Sequence, residues 1–432
     1  MKPRVRVVHV TPHLGGGIGK ALLALAEAQH GQAFEHAFVL LERPEKTSFL
    51  DGLTRLGCTV DIAADGSERA IARLADADIV QLEWWNHPAT FAFLCRAELP
   101  PMRLLVWSHV SGLRTPVIPA GLIDAAGRFV FTSPCSLDSH VVARLDAATK
   151  ARIGVVSSGV GLERPARRAD SGDGALRVGY LGSLNFSKLH PHVVDYLAAV
   201  DLPGFTLRVW GDVQNREPLQ DECRRRGRNG LIAFEGYTAD VAASLASLDV
   251  LAYLLNPAHY GTGENALVEA MSAGVVPVVL DNPAERAIVD HGRSGLVVDS
   301  PAAFAAAMRR LAGHPDERRA MAESARAEAA RRFTADRMGD AMALQYRQLL
   351  ADDRRPVDFR GILGDTPADW FLCCQESGRE FSSRIAALAG DAFACHGLHE
   401  ASKGSLRHFV GRFPDDARLR EWQRMSREGA RP

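Results

Sequence analysis

Twice in this chain a short β-branched run stops at a glycine-rich turn and gives way to a helical pattern. The first is VRVVHV (residues 5–10), followed by a turn holding Gly15, Gly16, Gly17 and Gly19, then helical periodicity over 20–30. The second is LRVGYL (176–181), followed by Gly182, Ser183 and a polar turn to Lys188. Strand, glycine turn, helix is how a Rossmann-like unit opens, and a run apolar on both faces belongs in a helix-covered parallel sheet. The pattern continues behind each opening. Further runs stand at 35–41, 59–62, 78–82, 103–107, 129–133 and 153–157, then at 206–210, 232–235, 249–254, 275–280 and 295–298, with helical stretches between. This alternation predicts an α/β fold with two Rossmann-like domains, 1–160 and 176–335, facing across a cleft. A Gly-, Arg- and Asp-rich linker is expected at 161–175 and a closing helix at 336–353. Residues 354–432 abandon the alternation, but their aromatic residues, Trp370, Phe371, Phe381, Phe393, Phe409, Phe413 and Trp422 among them, predict a folded, mainly helical extension.

Composition excludes several function classes. The 432 residues carry 51 Lys and Arg against 52 Asp and Glu, so no one-sign field invites nucleic acid. Peripheral contact with an anionic membrane stays open. No apolar run approaches the ~18 residues of a membrane span, and the start MKPRVR leads straight into a strand with no leader pattern. Seven scattered cysteines read as free thiols of a reduced, cytoplasmic protein. Cys373, Cys374, Cys395, His396 and His399 offer ligand types without a recognised metal spacing, so no metal is expected.

The first glycine turn suits close approach to a phosphate or a sugar, yet it fails the formal nucleotide motifs. A dinucleotide fingerprint would need glycine at Leu14 or Lys20, and a P-loop would need glycine at Leu14 and Ser or Thr at Ala21. NAD and ATP are therefore disfavoured. Ligands of open parallel sheets sit beyond the C-terminal strand ends. That rule gathers Gly16, Trp84, Trp85, His109 and Ser133 on one rim, where the tryptophans either stack an acceptor or belong to the core. In the second domain the stretch YGTGENALVEAMSAGVVPVVL (260–280) is a glycine loop, a short helix from about Glu264 to Ala273 capped by Gly274, and a buried strand. The helix N-terminus points free N–H groups at the loop, and two carboxylates, Glu264 and Glu269, lie close by.

The series GSLNFSK (182–188), VWGD (209–212), FEGY (234–237), NALVEAMSAGVVPVV (265–279) and HGRSGLVV (291–298) resembles the retaining glycosyltransferases of family 4, which have the two-Rossmann GT-B architecture. The resemblance covers about residues 4–350. It implies transfer of a sugar from a UDP- or GDP-sugar to an acceptor hydroxyl with retained configuration, and no cofactor beyond that donor substrate. By the resemblance Glu269 holds the ribose hydroxyls, Lys188 the diphosphate, and His109 the transferred sugar. Backbone groups of Gly16, Gly17, Gly182, Ser183, Gly211, Asp212, Gly261, Thr262, Gly263, Asn265 and Ala266 would complete the donor nucleotide site. The acceptor, a sugar, a lipid-linked sugar or a small molecule, would lie by Trp84 and Trp85, as in bacterial polysaccharide or glycoconjugate synthesis.

Two positions depart from the family pattern. Gly261 stands where a glutamate often precedes Glu269 by eight residues, and Glu264 appears instead, either as a reach toward the sugar or as a charge favourable to the helix dipole. Ser183 stands where an arginine commonly partners the lysine, leaving His190, His259 or Arg286 as substitutes. The same departures support an alternative, a non-catalytic glycosyltransferase-like subunit acting through a partner. A nucleotide-sugar epimerase would need cleft carboxylates from the first domain, where only Glu83 offers itself.

Overall fold

The computed structural model describes residues 4–63, 68–160 and 176–429, so the expected linker at 161–175 lies outside the described residues. Two parallel sheets appear, as the alternation predicts. The first holds β1 (Val5–Thr11), β2 (Phe34–Leu40), β3 (Thr59–Ile62), β4 (Ile79–Trp84), β5 (Leu104–Ser108), β6 (Arg128–Phe131) and β7 (Ile153–Val155) in the order β3-β2-β1-β4-β5-β6-β7. The second holds β8 (Val178–Leu181), β9 (Leu207–Trp210), β10 (Ile232–Gly236), β11 (Val250–Tyr253), β12 (Val276–Leu280) and β13 (Leu296–Val298) in the order β10-β9-β8-β11-β12-β13. Each sheet reverses its winding once, between β1 and β4 and between β8 and β11. Those switch points open the crevices in which such sheets take ligands.

The chain forms two compact units, and their boundaries differ from the sequence-based ones. One unit comprises Met1–Gly159, Tyr260–Gly263 and Ala335–Pro432; the other comprises Val160–His259 and Glu264–Thr334. The Tyr260–Gly263 loop, expected in the second domain, is held by the first. Ser111 N–H donates to the Tyr260 carbonyl (3.0 Å), and the Thr132 hydroxyl donates to Thr262 Oγ1 (3.0 Å). Helix Ala335–Leu349 packs on helix Gly16–Gln29, with Gln29 Nε2 donating to the Gly339 carbonyl (2.7 Å) and the Tyr346 hydroxyl to Gln81 Oε1 (2.6 Å).

The extension is also part of the first unit, and its reason is written in helix Pro88–Arg96. That helix, PATFAFLCR, buries seven of its nine residues, so it needs cover on two sides. The sheet supplies one. The extension supplies the other through helices Phe359–Leu363, Pro367–Leu372 and Leu406–Arg412. Trp370 stacks on Phe91 at 6.3 Å, Phe371 meets Phe409 at 5.3 Å, and the Arg96 guanidinium lies over Trp370 at 5.3 Å. Each large apolar side chain fully buried here contributes about 1.5–3 kcal/mol.

Candidate functional site

In the second unit the site grows from the β8/β11 switch point. The chain leaves β8 through Gly182 (φ +157°) and returns past Gly211, where a Cβ would overlap the Gly182 carbonyl oxygen. Two glycines are thus required for the loops to pass. Ser183 and Asp212 then tie the loops together: the Ser183 hydroxyl donates to Asp212 Oδ2 (2.5 Å), which also accepts the Leu184 N–H (3.2 Å). Asp212, expected in the donor nucleotide site, braces this turn. Beyond it Lys188 extends its ammonium to Glu264, 2.6 Å from Oε1 and 2.8 Å from Oε2.

Glu264 is the centre of this site. Helix Asn265–Ala273 begins one residue later than expected, with Glu264 as its N-cap in the left-handed region (φ 30°, ψ 60°), and ends at Gly274 (φ 75°) as predicted. Glu264 is the one described non-glycine residue with positive φ, a conformation that costs on the order of 1 kcal/mol or more and persists only where surroundings hold it. Its carboxylate makes no capping bond to the helix. It is buried and accepts from Lys188 and from the Tyr253 hydroxyl (2.6 Å), with His259 Nδ1 at 3.9 Å. Burial alone would push its carboxyl up; the Lys188 and His259 charges and the two hydrogen bonds outweigh that and hold it below the usual value. Burial and the Glu264 charge push the Tyr253 phenol well up, so it stays a donor. His259 continues the network to Glu285 (3.2 Å), and Glu285 accepts from Asn282 (3.0 Å). Of the proposed substitute partners for Lys188, His259 joins its network through Glu264. Arg286 pairs with Asp281 (2.9 Å), and His190 packs against Tyr196.

Glu269 lies one and a half turns along the same helix and is buried. Asn265 and Ala266 form the helix's first turn. Gly261, Thr262 and Gly263 sit with the first unit, as described above.

In the first unit Gly15 is the N-cap of helix Gly16–Gln29, which starts four residues earlier than predicted, at Gly16 (φ +62°) and Gly17. His13 Nδ1 accepts the Gly15 N–H at 2.9 Å. Trp84 is a correction: it is fully buried against Phe91 (5.3 Å), so it packs the core and cannot stack a sugar. Trp85 is 5 % exposed and lies edge-on among His13 (5.8 Å), His87 (5.9 Å) and His109 (6.2 Å), which leaves no open face for stacking either. His109 does reach the rim, with Nε2 2.7 Å from Glu83 Oε2. The extension adds to this rim. Its segment 402–408 is fastened by Asn86 Nδ2 to the Gly404 carbonyl (2.9 Å), sets His408 4.7 Å from His87, and places Lys403 beside Gly15. Burial and the Lys403 charge hold His13 and His408 down to about 4, so both imidazoles are neutral at pH 7. The seven cysteines are free thiols.

Comparison with known proteins fits these two sheets. The chain has the GT-B fold: HepE from Anabaena, solved in complex with UDP and glucose, matches 80 % of this chain and 100 % of that one at a TM-score of 0.62 and 16 % identity. A glycosyltransferase from Rickettsia africae matches 81 % and 100 % at a TM-score of 0.60 and 12 % identity. Residues 175–314, which hold Lys188, Glu264 and Glu269, match the family model described as Glycosyl transferases group 1. The lipopolysaccharide core biosynthesis glycosyltransferase LpsE of Rhizobium meliloti is 28 % identical over 156 residues, 36 % of this chain and 44 % of that protein. The aligned part is thus under half of that relative. Among the described residues no helix is long and apolar enough to cross a membrane.

Proposed function

We propose that the protein is a retaining glycosyltransferase that moves a sugar from a UDP- or GDP-sugar to an acceptor hydroxyl in the cytoplasm. The observation that carries this is the Lys188–Glu264–Tyr253 cluster at the switch point of a group 1 glycosyl transferase domain. In this reading Glu269 accepts hydrogen bonds from the ribose hydroxyls, as a carboxylate can from two neighbours at once. Lys188 and the first-turn N–H groups of Asn265 and Ala266 take the diphosphate, so no metal is invoked. Glu264 keeps the ammonium aimed while the site is empty. As the bond from the sugar to the phosphate oxygen breaks, charge grows on the leaving diphosphate, and the ammonium shifts from Glu264 toward it. The acceptor oxygen bonds to the same face of the sugar carbon, and its proton passes to a phosphate oxygen of the leaving group. Catalysis is then positioning plus charge stabilisation. The acceptor is a sugar, a lipid-linked sugar or a small molecule, in line with the relative that builds lipopolysaccharide core.

A screen of UDP- and GDP-sugars for released nucleotide tests this. Turnover is expected with one donor class. Lys188→Ala should lower it by about 10²-fold or more, the size of losing one charge-stabilising group, and Glu269→Ala should lower it by weakening donor binding through the lost ribose contacts. Full activity in both variants would sink the assignment. The neutralisation of Lys188 by Glu264 favours one other reading, a subunit that has lost chemistry, and absence of both nucleotide binding and turnover would select it.

A further inference from the structure

A fully buried polar chain runs beneath His109 through the centre of the first sheet. Gln29 Nε2 donates to the Gly339 carbonyl, which turns Gln29 Oε1 toward His36 Nε2 at 2.9 Å. His36 must therefore carry its proton on Nε2. Burial and the neighbouring His9 hold His36 far down, so it is neutral and its Nδ1 is an acceptor. That nitrogen lies 2.8 Å from His9 Nε2, which must donate. The other His9 nitrogen, Nδ1, lies 2.9 Å from Glu83 Oε1, an oxygen that also accepts Gln81 Nε2 at 2.7 Å. Glu83 is wholly buried; burial raises its carboxyl, but the hydrogen bonds from His109 and His9 outweigh that and bring it below its ordinary value, so it is an anion and can only accept. Both His9 nitrogens thus face acceptors, Nε2 the His36 ring and Nδ1 the Glu83 carboxylate.

The same count fixes His109. Its Nε2 lies 2.7 Å from Glu83 Oε2, so Nε2 carries the proton. The ring is wedged against Trp107 at 4.8 Å and Trp85 at 6.2 Å, and its side chain is 7 % exposed. Nδ1 makes no hydrogen bond among the described residues. We propose that Glu83 is a positioning residue that locks His109 as the Nε2–H tautomer, so that Nδ1 is offered as a hydrogen-bond acceptor to a sugar hydroxyl at the rim. The tautomer follows from the bond the other nitrogen makes. The second half of the proposal rests on the glycosyltransferase reading; the first half does not.

The test uses the full chain labelled with ¹⁵N-histidine, the His109 signals being assigned by their loss in His109→Gln. The neutral ring should show a protonated Nε2 and a bare Nδ1. Glu83→Gln, which keeps the volume and cannot accept from both imidazoles through two anionic oxygens, should mix or invert that tautomer. It should lower kcat by about 10- to 100-fold, the usual cost when the partner that orients a working imidazole is lost, with nucleotide Kd unchanged. The double variant with His109→Gln should lose no more than His109→Gln alone, because Glu83 acts through that ring. A wild-type spectrum with the proton on Nδ1 overturns the proposal, whether or not any donor turns over and whether or not Glu83→Gln folds. Additive losses in the double variant overturn it too, since they would mark Glu83 as a structural residue alone.

Discussion

At the residue scale, Glu264 decides how the second unit's site behaves. It holds an unfavourable backbone conformation and a buried charge, and Lys188 is what makes the charge tolerable. Removing one partner of a buried pair costs about 3–5 kcal/mol, largely because the other is stranded; Lys188 keeps some access to water, so the low end applies to Glu264→Gln. Chemical denaturation of the two proteins measures this. The pH dependence has a definite sign. A carboxyl held below its unfolded value stabilises the fold fully above that unfolded value and loses the contribution as pH falls through the lowered one. The wild type should therefore lose stability on acidification more steeply than Glu264→Gln, and parallel curves would count against the pair. The sequence showed that Glu264 was out of pattern, but not why. Its partners stand 76 and 11 residues away, at Lys188 and Tyr253, and only the β8/β11 crossing brings them together. A subtler signal was available in the first unit: a histidine inside VRVVHV and a glutamate at the end of a buried strand must be hydrogen-bonded to something, and here they bond to each other.

At the scale of elements, the segment 402–408 carries a consequence that the glycine turn alone does not predict. Lys403 presses its charge on His13 and His408 from a loop almost four hundred residues away in sequence from the first of them. A nearby cation disfavours a second one, so Lys403→Met should raise both imidazoles from about 4 toward 6.5, while burial keeps them short of it. Proton NMR titration of the two rings checks this; rings that titrate as before would mean that burial acts alone. Strands and glycine turns were legible because their periodicity is local. The fastening of one loop by Asn86 to Gly404 was not, since no short window contains both residues.

At the scale of the molecule, the extension changes from an appendage to a wall of the first unit. The apolar character of PATFAFLCR on every side was the visible sign that the helix had a second neighbour. Truncation after residue 353 strips Trp370, Phe371, Phe381, Phe409 and Trp422 from the common core and leaves Phe91 without its cover. The truncated protein should aggregate or lose cooperative thermal unfolding; a sharp transition near that of the full chain would show that the first unit closes without it. The two parallel sheets were readable from the alternation of strands and helices. The assignment of Tyr260–Gly263 and everything after Thr334 to the first unit was not, because it depends on pairings such as Thr132 with Thr262.

The three-part make-up of that unit also sets a timetable for synthesis. The second unit has all its residues once Thr334 has emerged, whereas the first, begun earlier, waits for its last helix, Ala417–Gly429. At about 5–20 residues per second, helix Pro88–Arg96 stands uncovered on its outer side for tens of seconds before Trp370 arrives. During that interval the nascent chain shows an apolar, phenylalanine-rich face to the cell. Of the two units, the one begun earlier is finished later.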